Sequence, residues 1–447
     1  MRNCITNAII SVVFDGWALK SEKLNQRKVK VAFKTLGCRL NQYEMDALAT
    51  TFSDNGYEVS QNEEGADVIV VNTCTVTNQS NHKSRYVISH ASRVNPTAEM
   101  VITGCMTESH AEQLKSKFPK AIIIKNKAKS GIFHSVDSLL KTGRAELSDK
   151  DFDLFSYQSF TEMFHTRSLV KIQDGCDNFC TYCIIPFVRG RAISRPLSQV
   201  IKNVQEVVAQ GAKEVVLTGV NISRYDSDGV KFSGLLKEIL DVEGDFRVRI
   251  SSIEPDSFDD QFFELIGHPK LAPHLHLCLQ SGSNRILLKM RRMYTVNEFL
   301  NIVNRVRAKD ANFNFTTDII VGFPGETEDD FQQSMDVAKQ VGFGHMHIFK
   351  YSVRKGTQAE RMPDQLSDSI KTERSKRMHQ LAGELQIAYR SKFDHTIQRI
   401  LVEKWKNGKA SGYNDYYVPM EFETSNQSKN RFEQVLASVV NTDDDTL

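Results

Sequence analysis

The stretch Gly175-Cys176-Asp177-Asn178-Phe179-Cys180-Thr181-Tyr182-Cys183 carries three cysteines spaced C-x3-C-x2-C. Spacing this tight lets one loop wrap several thiolates around a small inorganic core. A simple electron carrier would need a fourth thiolate, and none follows nearby. Three ligands leave one metal corner open for an outside ligand. A zinc site completed by histidine is the competing reading, but no histidine lies within zinc-finger distance downstream.

Around this loop the chain alternates strand-like and helical patterns. The strand-like runs are Leu169–Gln173, Glu214–Thr218, Arg247–Ser251, His274–Leu279, Asn314–Val321 and His345–Lys350. Between them lie amphipathic segments such as Ser198–Gln210, with Val200, Val204, Val207 and Val208 on one face. Six βα units predict a partial (β/α)6 barrel over 165–392, which a long charged helix, Ser367–Lys392, closes. Active sites in such barrels sit at the C-terminal strand ends, and Cys176–Cys183 follow the first strand. The later ends carry Thr218–Asn221, Ser251–Pro255, Gln280–Ser283, Val321–Glu326 and Tyr351–Arg354. Any one of these reads as an ordinary βα turn; their recurrence at five ends marks a site.

Upstream, over 28–140, Val29–Lys34, Asp67–Val71, Met100–Thr103 and Ala121–Lys125 read as strands. Gln42–Asn55, Ser80–Arg93 and Glu108–Phe118 read as the helices between them, giving an α/β domain with a parallel sheet. Cys38, Cys74 and Cys105 each lie just past one of the first three strands, so the sheet would gather three thiols in one crevice. Ligation of a metal or cluster explains three equivalent positions; a catalytic thiol with two bystanders is the alternative. Cys4 and Cys278 have no partners at motif spacing.

Residues 141–164 read as a polar linker. From 393 to 447 the pattern turns all-β, with runs Ile397–Glu403, Tyr413–Met420 and Phe432–Val440 and a charged tail at Asp443–Asp445. Length calls for several domains. Net charge is only +2, so nucleic acid would have to be met by local patches. The apolar run Ala8–Phe14 falls far short of the ~20 residues of a membrane span, and 1–27 are expected to form an unstructured extension of a cytoplasmic protein.

The cysteine loop, with an aromatic residue before its third cysteine, resembles the radical S-adenosylmethionine superfamily. Together with Arg189-Gly190-Arg191, Ser194-Arg195, Leu217–Asn221, Ser251–Pro255, Leu279–Ser283 and Asp318–Glu326, and with the upstream thiol triad, it is similar to the radical SAM methylthiotransferase family. The resemblance runs from about Lys30 onward. It implies two [4Fe–4S] clusters, one on Cys176, Cys180 and Cys183 with S-adenosylmethionine, the other on Cys38, Cys74 and Cys105. It further implies that Tyr182, Gly219, Asn221, Ser252, Glu254, Gln280, Ser281 and Asp318 line the cofactor site. The all-β module looks like the family's TRAM domain, an RNA-binding barrel.

The segment Leu36-Gly37-Cys38-Arg39-Leu40-Asn41-Gln42-Tyr43-Glu44 resembles the branch acting on N6-threonylcarbamoyladenosine at position 37 of tRNA. In that branch sulfur and a methyl group are added at carbon 2 of the adenine, an aryl position with no acid–base route. The implied partners are the tRNA anticodon loop, an electron donor such as flavodoxin or ferredoxin, and a sulfur source. Branches acting on isopentenyladenosine, or on an aspartate of a small-subunit ribosomal protein, remain alternatives. So do a non-catalytic iron–sulfur electron carrier and an RNA-binding metal protein. Lys371, Arg374, Lys376, Arg377, Lys404, Lys406 and Lys409, beside Trp405, Tyr413, Tyr416 and Tyr417, are candidates for RNA contact, against a reading as solvated helix face and small core.

Overall fold

The computed structural model describes residues 28–146, 153–157 and 166–440, and the chain divides into two compact units. The extension at 1–27, most of the linker and the acidic tail lie outside the described residues. The first unit reaches residue 163 and also takes in Phe187–Arg189; the second is the remainder.

In the first unit five parallel strands form one sheet, ordered Glu58–Ser60, Lys30–Thr35, Val68–Thr73, Glu99–Gly104, Ile122–Ile123. The central strand Val68–Thr73 is buried along its whole length, as a parallel strand covered on both faces must be. Ala32, Ile69, Val71, Ile102 and Met106 meet in its core. Two features escaped the sequence pattern. The edge strand Glu58–Ser60 is too short to show alternation. Helix Ile132–Thr142 runs into the segment read as linker and stops at Gly143, whose left-handed conformation (φ 74°) ends it.

In the second unit the six expected strands are present and pair in parallel. The third is interrupted at Ser251 into Arg247–Ile250 and Ser252–Ile253, so the ladder divides into a three-stranded and a four-stranded sheet. Helices pack Val200, Val204, Val207, Phe299, Phe331 and Val341 into a common core with Val215, Leu217, Leu275 and Phe315. Capping boxes at Thr295/Glu298 and Thr327/Asp330 fix where two of these helices begin.

The C-terminal strands Thr396–Lys406, Lys409–Asn414, Pro419–Glu423 and Arg431–Val439 close a small antiparallel barrel. The apolar run Tyr413–Met420 is therefore two strands rather than one. It breaks at a turn where Tyr417 takes φ 64°, a conformation costly for an aromatic residue. The turn is held by its contacts. Tyr417 lies under the Arg249 guanidinium at 4.4 Å, faces the His274 ring at 4.9 Å and accepts a hydrogen bond from Arg167 at 2.6 Å.

Candidate active site

In the first unit, each of three strands hands the chain to a cysteine. Cys38 caps helix Arg39–Asp54, Cys74 follows Val68–Thr73, and Cys105 opens helix Cys105–Lys117. Cys38 is exposed, whereas Cys74 and Cys105 are buried. The three thiols lie close enough for charge on one to oppose charge on another. Burial pushes the Cys74 thiol up to about 11, with Cys105 and Cys38 adding to the shift. Gly37 (φ 99°) permits the approach: a Cβ there would come within 2.8 Å of Cys74 Cβ and 2.9 Å of its sulfur.

Polar side chains brace this crevice. Asn41 donates to the carbonyls of Leu36 and Thr73, 2.7 and 3.2 Å away, tying the first thiol's turn to the strand that precedes the second. Arg189 donates to Asn41 Oδ1 at 2.6 Å and to Glu44, which also accepts from Lys129. Arg189 favours the Cys38 thiolate, against the upward push of desolvation. Sequence reading quoted Asn41, Glu44 and Arg189 only as motif letters and missed Lys129 altogether. Their shared role depends on contacts 85 to 148 residues apart in the chain.

In the second unit, the loop Gly175–Cys183 leaves the first barrel strand. Gly175 (φ 69°) allows it: a Cβ there would fall 1.9 Å from the carbonyl oxygen of Arg191. Gln173 acts as a hub. Its amide donates to the carbonyls of Asp174 and Gly175, and its oxygen accepts from the backbone of Val220 and Asn221. Backbone N–H groups point at two of the sulfurs, Asn178 at Cys176 (3.5 Å) and Ile185 at Cys183 (3.4 Å). Burial pushes the Cys183 thiol up to about 12, helped by Cys180, and also raises Cys176.

Of the other residues proposed from sequence, several converge on this loop. Asn221 points its amide at Cys176 sulfur, 4.0 Å away. Gly219 lies against Gln173, where a Cβ would be 2.9 Å from that residue's carbonyl oxygen. Tyr182 packs edge-on to Phe323, and Glu254 pairs with Arg292. Gln280 (φ 64°) is fixed through its backbone to Asp318 and Ile320. The Asp318 carboxyl, against the upward push of burial, is held below its usual range by His276, His347 and Arg292. His276, Cys278 and Asp318 bring ligand-type atoms within 4.8 Å of one another. Ser252 is exposed, and the Ser281 hydroxyl lies against Ser334 on helix Glu328–Val341 and accepts from the Ser283 backbone. Sequence reading missed Arg292, whose guanidinium donates to Cys180 sulfur at 3.2 Å.

Both thiol sets suit an iron–sulfur core. Soft sulfur donors come in threes, Gly37 leaves room beside Cys74 and Gly175 lets the downstream loop pass the Arg191 carbonyl, and N–H donors and cations face the sulfurs that a metal would hold as thiolates.

The residues considered for RNA contact separate into two groups. Arg374 is buried on Glu326, Lys371 lies over Tyr351, and Arg377 pairs with Glu328. Tyr413 and Tyr417 stack on each other, Tyr416 packs on Phe393, and Trp405 donates to the Thr424 carbonyl. These side chains support the fold. Lys376, Lys404, Lys406 and Lys409 are exposed. Among the described residues no helix is long and apolar enough to cross a membrane.

Residues 30–125 match a family described only as uncharacterized protein family UPF0004, and 170–338 match the radical SAM superfamily, whose cofactors are S-adenosylmethionine and [4Fe–4S] clusters. The chain is 37% identical to the threonylcarbamoyladenosine tRNA methylthiotransferase MtaB of Bacillus subtilis strain 168, over 88% of this chain and 90% of that one. The Thermotoga maritima MtaB is 36% identical over 88% and 91%. A Fusobacterium nucleatum tRNA-2-methylthio-N(6)-dimethylallyladenosine synthase is also 36% identical, over 84% and 88%. Among solved structures, the radical S-adenosylmethionine methyltransferase TsrM of Kitasatospora setae shares the fold, with TM-score 0.55 at 17% identity over 72% of this chain and 73% of that one. With such identity sustained over nearly the full length of its relatives, the protein is a member of the radical SAM tRNA methylthiotransferase family and MtaB-like within it.

Proposed function

We propose that this enzyme adds a methylthio group to carbon 2 of N6-threonylcarbamoyladenosine at position 37 of tRNA. The observation that carries the reading is the pair of thiol triads, one at the C-terminal ends of three parallel strands and the other within the single loop that follows the first barrel strand. Cys176, Cys180 and Cys183 would hold one [4Fe–4S] cluster, and Cys38, Cys74 and Cys105 a second. Bound with S-adenosylmethionine, the first cluster supplies one-electron chemistry that reaches an aryl carbon no protein base can activate.

The chain's own residues then bind and orient. Gln173 and Asn221 hold the cofactor loop against the neighbouring strand end, and Arg292 and Glu254 place a fixed ion pair beside Cys180. Asp318, its carboxyl held low by its histidine neighbours, offers an acceptor within strand Asn314–Val321. The target base must leave its stack to reach such a site, which an anticodon loop permits more readily than a duplex. Lys376, Lys404, Lys406 and Lys409 are the exposed cations proposed to meet phosphate. An electron donor of the flavodoxin or ferredoxin type and a sulfur source complete the reaction, and the cytoplasm, where tRNA is modified, is the proposed location.

The segment Leu36–Glu44 and the MtaB-named relatives support the threonylcarbamoyladenosine substrate. The dimethylallyladenosine-named relatives keep the isopentenyladenosine reading as its rival. Mass spectrometry of tRNA nucleosides from a deletion strain separates the two. Loss of the methylthio form of threonylcarbamoyladenosine alone, restored by the wild-type gene, supports the proposal. Loss of the isopentenyl derivative instead overturns the substrate.

A further inference from the structure

Arg292 is a buried cation whose environment leaves it little freedom. Its Nη1 donates to Cys180 Sγ at 3.2 Å, its Nε to Tyr294 Oη at 3.1 Å, and its Nη2 pairs with the Glu254 carboxylate. Only 3% of the Arg292 side chain is exposed. Tyr294 is itself fixed, its hydroxyl directed at the Cys278 and Leu279 carbonyls, 2.7 and 2.9 Å away.

The backbone locks this arrangement to the cysteine loop. Thr181 N–H donates to the Met290 carbonyl at 3.1 Å, and Thr181 Oγ1 to the Lys289 carbonyl at 3.0 Å. The turn through Arg291 (φ 59°) then returns the chain, so that Arg292 N–H bonds to Leu287 O at 2.9 Å. The residue after Cys180 and the turn before Arg292 are thus joined by one main-chain and one side-chain hydrogen bond, both through Thr181. A structural salt bridge would be satisfied by Glu254 alone. The directed N–H to sulfur is the additional feature.

Hydrogen bonds to cluster sulfurs, and net charge beside them, set an iron–sulfur reduction potential. A cation and an N–H donor at a ligand sulfur both stabilise the reduced, more negative state. Glu254 opposes the cation. We infer that Arg292 is a positioning residue that raises the reduction potential of the cluster on Cys176, Cys180 and Cys183, and that Glu254 offsets part of this effect. The inference rests on the cluster assignment proposed above.

The experiment uses anaerobically reconstituted full-length protein without S-adenosylmethionine. Iron and sulfide are quantified first, and the midpoint potential is then read by EPR during titration with dithionite and mediators. To isolate the signal, all proteins carry Cys74→Ala, which disables the second triad. Arg292→Met should keep its iron and show at least a tenfold lower reduced-to-oxidised ratio at a fixed potential, a change of ~59 mV for a one-electron couple. Glu254→Gln should move the potential the opposite way. An iron-loaded Arg292→Met protein with the parent potential overturns the inference. If Arg292→Met fails to load, Glu254→Gln decides: a rise supports the inference, and no change or a fall overturns it. Failure of the parent itself to bind a cluster would instead refute the cluster assignment.

Discussion

Lys129 Nζ donates to Glu44 Oε2 across 2.5 Å, with both side chains no more than 4% exposed. Arg189 shares the same carboxylate, so one buried anion holds two cations beside the upstream thiols. Burial, and the nearby Arg189 cation, drive the Lys129 ammonium toward its neutral form, and Glu44 opposes this. Removing one partner of such a group costs more than the group contributes, because the remaining charges are left without compensation. Glu44→Gln should therefore lower the stability of the first unit by ~3 kcal/mol in urea unfolding. Adding Lys129→Met to that variant should recover part of the loss; absence of any recovery would show that the two charges are not coupled.

The same pair alters the meaning of a motif. Tyr43 and Glu44 help mark the threonylcarbamoyladenosine branch in sequence, yet both are buried. They act by packing and charge balance, so a destabilised but folded Glu44→Gln enzyme should still modify the same nucleoside. Nucleoside mass spectrometry of a complemented deletion strain checks this.

The two thiol sets should separate by function. Cys180→Ala should abolish reductive cleavage of S-adenosylmethionine, measured as 5′-deoxyadenosine. Cys74→Ala should retain measurable cleavage while sulfur incorporation into tRNA stops. Normal sulfur transfer by the second variant would refute the two-cluster reading.

Loop geometry gives a test that needs no turnover. With a Cβ at Gly175 falling 1.9 Å from a backbone carbonyl oxygen, Gly175→Ala must displace the loop or the Arg191 segment. We expect the variant to fold, as judged by circular dichroism, while losing most of the iron that the wild type takes up at its downstream site.

Asp46 supplies a pH dependence. Burial raises its carboxyl to about 7, above the unfolded value near 4. Between these pH values the folded state binds more proton than the unfolded chain, so this group's contribution falls as pH rises through about 7. Asp46→Asn should remove that slope. Its stability relative to wild type should increase from pH 5 to pH 7, by ~1.4 kcal/mol for each pH step across that window, and level off above it. Parallel stability curves for the two proteins would rule out the effect.

The small barrel offers a contrast between two kinds of residue. Tyr417→Ala removes the ring under Arg249 and should destabilise the second unit by ~3 kcal/mol. Lys404→Ala with Lys406→Ala should change stability by no more than ~0.5 kcal/mol, as surface substitutions do, while weakening tRNA binding and reducing its salt dependence. Filter binding at two salt concentrations measures the second effect.

Local chemistry made much of this protein legible in its sequence. All six barrel strands, the three helices between the strands of the first sheet, and both cysteine sets follow from periodicity and from thiols placed at strand ends, which neighbouring residues encode; helix Ile132–Thr142 does not. The short edge strand Glu58–Ser60 and the break within Tyr413–Met420 were not legible, because three residues carry no period and the break is held by arginines and a histidine of the larger barrel. Nor were Lys129 and Arg292. A lone charged residue in sequence looks solvated, and only folding sets Lys129 on Glu44 from 85 residues away and Arg292 on Cys180 from 112. Sequence placed the thiols proposed here to bind metal, and the strands they follow. The tertiary structure decided which buried charges surround those atoms, because electrostatic partners are chosen by distance in space and not by order in the chain.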